Sequence, residues 1–302
     1  MLCEIGTRLF LRDKVGSADH SPPYAPAWGK KYLKLNSDGF RDRQHAVEKK
    51  SDVYRIVIIG DSYTFGWMVD NPENRYSEIL EALLNNYNNS NERADDTKNF
   101  EIFNFAAPAS NTRHELGMYE NFARKYKPDL VLLCVSPLDI MPVKKVTDIP
   151  YPLTLMIQKS YFIRLIYFQL FMQRWRSGVL VRQIRDRIAH ISKDPKTRNI
   201  LVKNIKDFKK RCSRDGSNFI VVLLPIFDDF NGGHFVQEHS VMVRILFDSH
   251  VFYMDLFPKF KGKNADDFKV NYFDPHPNEK AHRIIAAGIF EQIVRWEGGV
   301  RH

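Results

Sequence analysis

The first residues that could do chemistry lie in the segment 58–66, which reads Ile-Ile-Gly-Asp-Ser-Tyr-Thr-Phe-Gly. Ser62 stands there in a Gly-Asp-Ser turn, directly after the apolar run Tyr54–Ile59. A strand that ends in a tight turn and opens into a helix exposes its first side chains at the carboxyl edge of a sheet, beside N–H groups that can hold an anion. Ser62 is therefore a candidate nucleophile. Serine is also a favoured helix N-cap, and this segment alone leaves both interpretations open.

A carboxylate and an imidazole stand together near the other end of the chain. Asp274 and His276 lie two residues apart in the segment 272–282, so in an extended stretch their side chains face the same way. An acid that orients a histidine, which then removes the proton of a serine, is the logic of acyl transfer. The alternative is a loop with a proline-rich turn, in which Asn278 caps the helix that the apolar pattern of 284–293 predicts.

Taken together, the two segments resemble blocks of the SGNH, or GDSL-type, hydrolase superfamily. The matching residues are Gly60, Asp61, Ser62, Thr64, Phe65 and Gly66 in the first block, and Asp274, His276, Pro277, Asn278 and His282 in the last. The segment 36–41, Asn-Ser-Asp-Gly-Phe-Arg, is also similar to bacterial members. The resemblance covers roughly residues 34–295 and implies a Ser62, His276, Asp274 triad without a cofactor or metal.

The second block of the family departs from its usual form in this chain. It commonly reads Asn-x-Gly-x-Pro-Gly, and the last glycine contributes an N–H group to the oxyanion hole; here residues 104–109 read Asn-Phe-Ala-Ala-Pro-Ala. Both expected glycines are alanines. The backbone donor of Ala109 survives, but alanine tolerates a positive φ poorly, which puts the direction of this N–H in question.

The third block departs more severely, because it usually carries an asparagine whose amide donates to the oxyanion. Residues 136–139 read Ser-Pro-Leu-Asp, so Leu138 occupies that place. Loss of one oxyanion donor costs about 2.7 to 4 kcal/mol of transition-state stabilisation. The sequence therefore predicts a slow enzyme, or one in which Ser136, Asn111 or Ser110 replaces the missing donor beside the N–H groups of Ser62 and Ala109.

Composition and periodicity predict one large α/β domain with additions. The chain has 302 residues, of which 44% are hydrophobic and 13% aromatic, which is enough to bury a sizeable core. Apolar runs and helical patterns alternate, which favours βαβ units and a parallel sheet with helices on both faces. The expected fold is a flavodoxin-like three-layer α/β/α sandwich with a five-stranded sheet. The predicted strands are 54–59, 101–105, 130–135, 219–224 and 251–256, and the predicted helices are 76–87, 113–127, 200–214 and 236–247.

The domain organisation follows from the same pattern. Residues 1–50 are expected to form an extension that packs on the core, and residues 51–302 the hydrolase-like domain. A helical insertion is predicted at about 150–200, where the strongly apolar stretch 160–172 suggests either a lid with an acyl-chain surface or a plain core helix.

Positive charge is concentrated after this stretch. The formal net charge is +9, and residues 174–214 contain fourteen Lys or Arg against three Asp. Such a surface attracts an anionic polymer or an anionic membrane, unless it is simply a solvated helix face. Nucleic acid is not expected, since no nucleic-acid-binding module is recognisable.

The remaining features narrow the class of protein. Cys3, Cys134 and Cys212 are far apart and odd in number, so neither a disulfide framework nor a zinc site is indicated. No signal peptide or membrane-spanning run is visible, so a cytoplasmic location is the default. If an N-terminal segment is missing, the protein is instead exported or membrane-anchored, as relatives often are.

The expected activity is hydrolysis of a small acyl ester through an acyl-enzyme on Ser62, by an esterase or a carbohydrate O-deacetylase. An acetylated carbohydrate is the favoured substrate. The first alternative is transfer of the acyl group to a glycan hydroxyl by the same triad. The second is a binding module without catalysis, which the changes in the second and third blocks would favour and the presence of Ser, His and Asp together disfavours.

Overall fold

A computed structural model describes residues 3–6, 25–90, 99–140, 152, 155–156, 159–176, 182, 186, 188–190, 193–228, 230–231, 235–271 and 274–300. Parts of the expected N-terminal extension and of the expected insertion lie outside these residues. Within them, no helix combines the length and hydropathy needed to cross a bilayer.

Five parallel strands form the centre of the molecule in the order β2-β1-β3-β4-β5. They are β1 (Val53–Gly60), β2 (Asn99–Ala106), β3 (Leu130–Val135), β4 (Asn218–Leu223) and β5 (Phe252–Asp255). This is the flavodoxin-like order, in which the chain reverses direction across the sheet next to β1. The predicted five-stranded parallel sheet is confirmed.

Helices cover both faces of the sheet, because the strands are apolar on both. In β1, Ile56 and Ile58 belong to one buried cluster, which includes residues of the helices α3 (Tyr76–Ser90) and α8 (Glu279–Val300). Val57 and Ile59 belong to the other, which includes residues of the helices α4 (Thr112–Asn121), α6 (Pro195–Arg214) and α7 (Val236–Asp248). The helices are α1 (Ala25–Tyr32), α2 (Ser62–Phe65), α3 (Tyr76–Ser90), α4 (Thr112–Asn121), α5 (Tyr161–Arg176), α6 (Pro195–Arg214), α7 (Val236–Asp248) and α8 (Glu279–Val300).

Two elements differ from the sequence prediction. The helix expected over 113–127 ends at Asn121 and is followed by a 3₁₀ turn over Ala123–Tyr126. Phe122 between them leaves the helical region with φ −127° and ψ −56°, and Lys127, which precedes a proline, adopts a left-handed conformation. The segment before α8 forms an antiparallel hairpin, β6 (Lys269–Asn271) with β7 (Asp274–Pro277).

The expected insertion contains the helix α5, whose described side chains are half-buried or exposed rather than in the core. Phe162, Ile166 and Leu170 lie four residues apart and are 37%, 44% and 57% exposed, so they form one apolar stripe. The structure describes only part of the side chains of α5, so the choice between a lid and a plain core helix stays a prediction.

Candidate active site

The turn between β1 and α2 presents Ser62 at the carboxyl edge of the sheet. Asp61 is the N-cap of α2, and its side chain accepts a hydrogen bond from the Tyr63 N–H at 2.9 Å. A Cβ atom on Gly60 would lie 2.2 Å from Thr64 Oγ1 and 3.1 Å from the Cys134 carbonyl oxygen. Only glycine therefore lets the strand pass so close to the helix that it opens. Burial raises the pKa of Asp61.

The hairpin brings His276 to this serine across the top of the sheet. The Nε2 atom of His276 lies 2.9 Å from Ser62 Oγ, and its Nδ1 atom lies 2.5 Å from Asp274 Oδ1. The same carboxylate oxygen accepts the backbone N–H of His276 at 3.1 Å. The Asp274 side chain is 2% exposed and that of His276 25%, so a buried acid orients a ring that solvent and substrate can reach.

Local sequence explains why this histidine is held so firmly. Asp274 and His276 lie on one face of β7, and the strand ends where Asn278 begins α8. The Asn278 side chain accepts N–H bonds from Lys280 and Ala281 at 3.0 and 3.2 Å and donates to the Lys269 carbonyl at 2.8 Å. Asn278 is thus the helix cap that the sequence suggested, and it also joins the two strands of the hairpin.

The backbone N–H groups of Ser62 and Ala109 are the predicted oxyanion donors. Ala109 adopts φ +60°, the left-handed conformation that glycine usually occupies, despite its side chain. Its N–H, like that of Ser62, has no hydrogen-bond partner among the described residues. Alanine at this position therefore adopts the positive φ that its side chain disfavours.

The candidates for a replacement donor are not equally free. The Ser136 hydroxyl accepts the N–H of Leu138 at 3.2 Å and lies 3.4 Å from Asp139 Oδ2, in a buried turn. The Ser110 hydroxyl lies 3.1 Å from the carbonyl oxygen of Gly60. Both hydroxyls are therefore engaged within the protein, and neither prediction of a replacement donor is supported by this geometry.

Leu138 and Asn111 complete the predicted set. Leu138 is half-buried and packs against the core cluster on the α4 face, so its side chain offers no hydrogen bond. Asn111 caps α4, and its Oδ1 atom accepts the His114 N–H at 3.2 Å. Its amide nitrogen has no partner among the described residues. Of the predicted side-chain donors, Asn111 alone retains an unused N–H in the part of the chain that the structure describes.

Sequence reasoning assigned no role to Arg41, which ends the segment 36–41. Its guanidinium is buried and donates to four carbonyls of the loop that follows α2, at distances of 2.6 to 3.4 Å. Those carbonyls belong to Phe65, Gly66, Val69 and Asp70. The Asn36 side chain shapes the preceding turn by accepting the N–H groups of Asp38 and Phe40. This segment therefore fixes the loop that follows Ser62.

The guanidinium of Arg41 stays charged in this buried position. Burial and the neighbouring Arg75 lower the pKa of Arg41 to about 10, which is still far above neutrality. A fork of five N–H donors suits several carbonyls at once, which a lysine cannot reproduce. The segment 36–41 could have indicated this role in the sequence. Its asparagine and glycine are typical of a tight turn, and that turn places the arginine.

A second network of buried hydrogen bonds holds α2 in place. Asn104 donates to the Thr64 carbonyl and to Ser77 Oγ, both at 2.8 Å, and the Tyr76 hydroxyl donates to Thr64 Oγ1 at 2.8 Å. His282 accepts the Tyr76 N–H at 3.1 Å. Burial lowers the pKa of His282 to about 3, so this ring is neutral and structural. Among the described residues, no group of three or more His, Cys, Asp or Glu side chains is disposed to hold a metal ion.

Comparisons with known proteins gave structural neighbours only. No protein-family model matches the chain, and no curated protein matches it significantly. A two-domain esterase active on acetylated mannans is similar with a TM-score of 0.47 and 14% identity over 80% of this chain, which spans about half of that protein, 49%. A G-D-S-L family lipolytic protein from Veillonella parvula is similar with a TM-score of 0.46 and 16% identity over 80% of this chain and 99% of that one. An acetyl-xylooligosaccharide esterase from Geobacillus, in a mutant form, has a TM-score of 0.47 and 13% identity over 80% of this chain and 94% of that one.

The fold itself agrees with the sequence resemblance. The sheet order places β1 beside the point where the chain reverses, with Ser62 directly after it, and His276 lies on a hairpin immediately before the last helix. In its five-stranded parallel sheet with helices on both faces, the chain has the three-layer fold that the sequence resemblance implied.

Proposed function

We propose that this protein is a serine-dependent hydrolase of acyl esters that acts through an acyl-enzyme on Ser62. The observation that carries the proposal is the continuous chain of contacts from Ser62 Oγ to His276 Nε2 at 2.9 Å and from His276 Nδ1 to Asp274 Oδ1 at 2.5 Å. The preferred substrate is a small acyl ester of a carbohydrate, with acetate as the acyl group.

In the first step, Ser62 Oγ attacks the ester carbonyl while His276 Nε2 takes its proton. Asp274 keeps the proton on Nδ1 and stabilises the imidazolium, as its buried position allows. The N–H groups of Ser62 and Ala109 donate to the oxyanion. His276 then gives its proton to the departing alcohol, which leaves the acyl group on Ser62.

In the second step, water attacks the acyl-enzyme with His276 again as the base, and the acid is released. Leu138 contributes nothing to the oxyanion in either step. Two backbone donors without the side-chain amide imply a rate lower by about a hundred- to a thousandfold than that of an otherwise equal site. The proposal therefore includes a low turnover number.

Labelling by a fluorophosphonate probe tests the nucleophile without knowledge of the substrate. The wild type should gain one adduct by intact mass, and Ser62→Ala and His276→Ala should gain none. Ser240→Ala is the matched control, since Ser240 is an exposed helix serine on α7 that donates to the Val236 carbonyl. Its labelling should equal that of the wild type.

A folded wild type without an adduct would refute the proposal and favour a binding module. Where the adduct forms, product analysis with an acetylated sugar and a free glycan separates hydrolysis from acyl transfer. Release of free acetate regardless of the glycan supports the hydrolase.

A further inference from the structure

A surface cleft of about 400 Å³ opens beside the candidate triad. Three segments line it: the helix α1, the chain that follows α2, and the strand β6. Its lining residues are Trp28, Lys31, Tyr32, Met68, Asp70, Val270 and Asn271. The cleft therefore combines part of the N-terminal extension with the chain that follows Ser62 and with the strand that pairs with β7.

Aromatic rings connect this cleft to the catalytic histidine. The Trp67 ring lies 6.0 Å from that of His276 and 5.6 Å from that of Trp28, centroid to centroid. Trp28 lies in turn 6.4 Å from Tyr32. On the other side, Asn271 pairs with Asp274 across the hairpin. The cleft is therefore linked to His276 through one intervening ring, Trp67, and to Asp274 through the strand pairing.

The walls of the cleft are aromatic and its rim is polar. Trp28 is fixed by a hydrogen bond from Nε1 to Asp70 at 3.1 Å and by the guanidinium of Arg41, 4.8 Å from its ring. Lys31 and Asp70 are exposed, and Asn271 is half-buried. An acyl chain would need only apolar surface, whereas a sugar ring has apolar C–H faces, which suit the negative face of an aromatic ring, and a rim of hydroxyls.

We propose that this cleft binds a pyranose ring of the carbohydrate whose ester is cleaved at Ser62. The inference rests on the proposed function and specifies that the alcohol part of the ester is a sugar. The Lys31 ammonium lies 4.7 Å from the centroid of the Tyr32 ring, so the sugar would pack on the other face of that ring, and Lys31 and Asp70 offer a donor and an acceptor for its hydroxyls.

The test compares Tyr32→Ala with the wild type on p-nitrophenyl acetate and on O-acetylated cellobiose. The sugar ester should show a KM raised about 3- to 10-fold, as loss of one aromatic contact implies, with the aryl ester unchanged. Tyr87→Ala is the control, because Tyr87 is another partly exposed tyrosine, on α3 and packed against Phe290. It should leave both substrates unaffected.

An equal loss on both esters, or a loss confined to long-chain acyl esters, would overturn the proposal. Quenching of tryptophan fluorescence by unacetylated cellobiose in Ser62→Ala tests the cleft without catalysis. Quenching that Tyr32→Ala abolishes supports the cleft even if the hydrolase proposal fails, and absence of quenching on an active enzyme counts against the cleft alone.

A separate observation concerns Glu115, a fully buried acid in the first turn of α4. Its Oε1 atom lies 3.1 Å from Ser110 Oγ, which also lies 3.1 Å from the Gly60 carbonyl oxygen. One hydroxyl hydrogen cannot serve both acceptors. The Glu115 Oε2 atom is buried without a partner among the described residues, which is costly for a carboxylate and less so for a neutral acid.

The charges that face Glu115 favour the neutral form as well. Burial, followed by Asp139 in the turn after β3 and Asp61 before α2, raises the pKa of Glu115 well above its ordinary value. No cation acts on it among the described residues. The Ser110 hydroxyl is the one group that favours its ionised form.

We infer that Glu115 is protonated and donates its hydrogen to Ser110, whose hydroxyl donates in turn to the Gly60 carbonyl. This chain ties the loop 107–110, with the free N–H of Ala109, to the nucleophile strand. The loop is held at the same carbonyl by the Ala107 N–H at 3.2 Å. Glu115 is then a positioning residue for the oxyanion donor, which rests on the proposed function.

Glu115→Gln retains a donor to Ser110, whereas Glu115→Ala removes it. We expect Glu115→Ala to lower kcat about 10- to 100-fold with little change in KM, as displacement of one oxyanion donor implies, and Glu115→Gln to stay within a few-fold of the wild type. Activity of the wild type should decline at alkaline pH as Glu115 ionises, and that of Glu115→Gln should not.

Equal activity of the two variants, at any level, would refute this role. The infrared difference spectrum of wild type minus Glu115→Gln gives an answer independent of catalysis. A protonated-carboxyl C=O band at neutral pH, lost at alkaline pH, is expected; a carboxylate band at neutral pH would overturn the inference even on an inactive protein.

Discussion

Replacing Ala109 by glycine should stabilise the protein, contrary to the usual effect of this substitution. Ala109 has φ +60°, where a side chain costs about 1 to 2 kcal/mol. Glycine removes that cost but makes the unfolded chain more flexible, which lowers the free energy of unfolding by about 0.4 to 1 kcal/mol. The expected net gain in the free energy of unfolding is about 0.8 kcal/mol, within limits of about 0 and 1.6 kcal/mol.

Ala107→Gly is the matched control, since Ala107 lies two residues earlier and its φ is not positive. Ala107→Gly makes the unfolded chain more flexible in the same way, but it removes no left-handed backbone cost. Its free energy of unfolding should therefore fall by about 0.4 to 1 kcal/mol, and by more because the methyl group of Ala107 packs against the core. The difference between the two variants contains the left-handed cost itself, about 1 to 2 kcal/mol. Urea unfolding of both variants and the wild type measures it from the midpoints, provided that the slopes agree. Equal losses in both variants would refute a left-handed Ala109.

Three further changes test other parts of the site. Leu138→Asn should raise kcat at least tenfold if its amide reaches the oxyanion, while Leu138→Ala should not; steady-state kinetics on an aryl acetate compares them. Arg41→Lys should lower the free energy of unfolding by about 2 kcal/mol or more, because the loop carbonyls lose charged donors. Calorimetry or urea unfolding measures this change, and an unaltered midpoint would contradict it. His282 is neutral when folded, with its pKa lowered to about 3 from 6.5, so the unfolded chain binds the extra proton and stability falls as pH drops below 6.5. That loss is about 2 kcal/mol by pH 5, and His282→Asn, which keeps an acceptor for the Tyr76 N–H, should remove it from the pH dependence of unfolding; an unchanged acid limb would contradict this.

The parallel sheet was predictable because its strands are apolar on both faces. Runs such as Leu130–Val135 have no polar residue and coincide with the observed strand. The juxtaposition of Ser62 with His276 followed from motif resemblance rather than from periodicity. The structure shows the contact between their side chains, while their catalytic roles stay a prediction.

Other features depended on tertiary contacts that no local pattern encodes. The role of Arg41 arises from carbonyls some 24 to 29 residues away, and the cleft arises from three distant segments. The engagement of Ser136 with Leu138 and Asp139 is local by contrast, a matter of side-chain geometry within one turn. The conformation of Ala109 contradicts its own propensity, because the surrounding loop determines the backbone there.

The bond between Ser62 and His276 joins residues 214 positions apart in the chain. Contacts between residues so far apart in the chain form late in folding, because closing the intervening loop costs entropy before the contact contributes any stabilisation. If Ser62 is the nucleophile, as we propose, it cannot be activated until β1 and the hairpin before α8 have come together. The rate at which Ser62 becomes reactive towards the probe after dilution from denaturant would then report the completion of folding through a single covalent adduct.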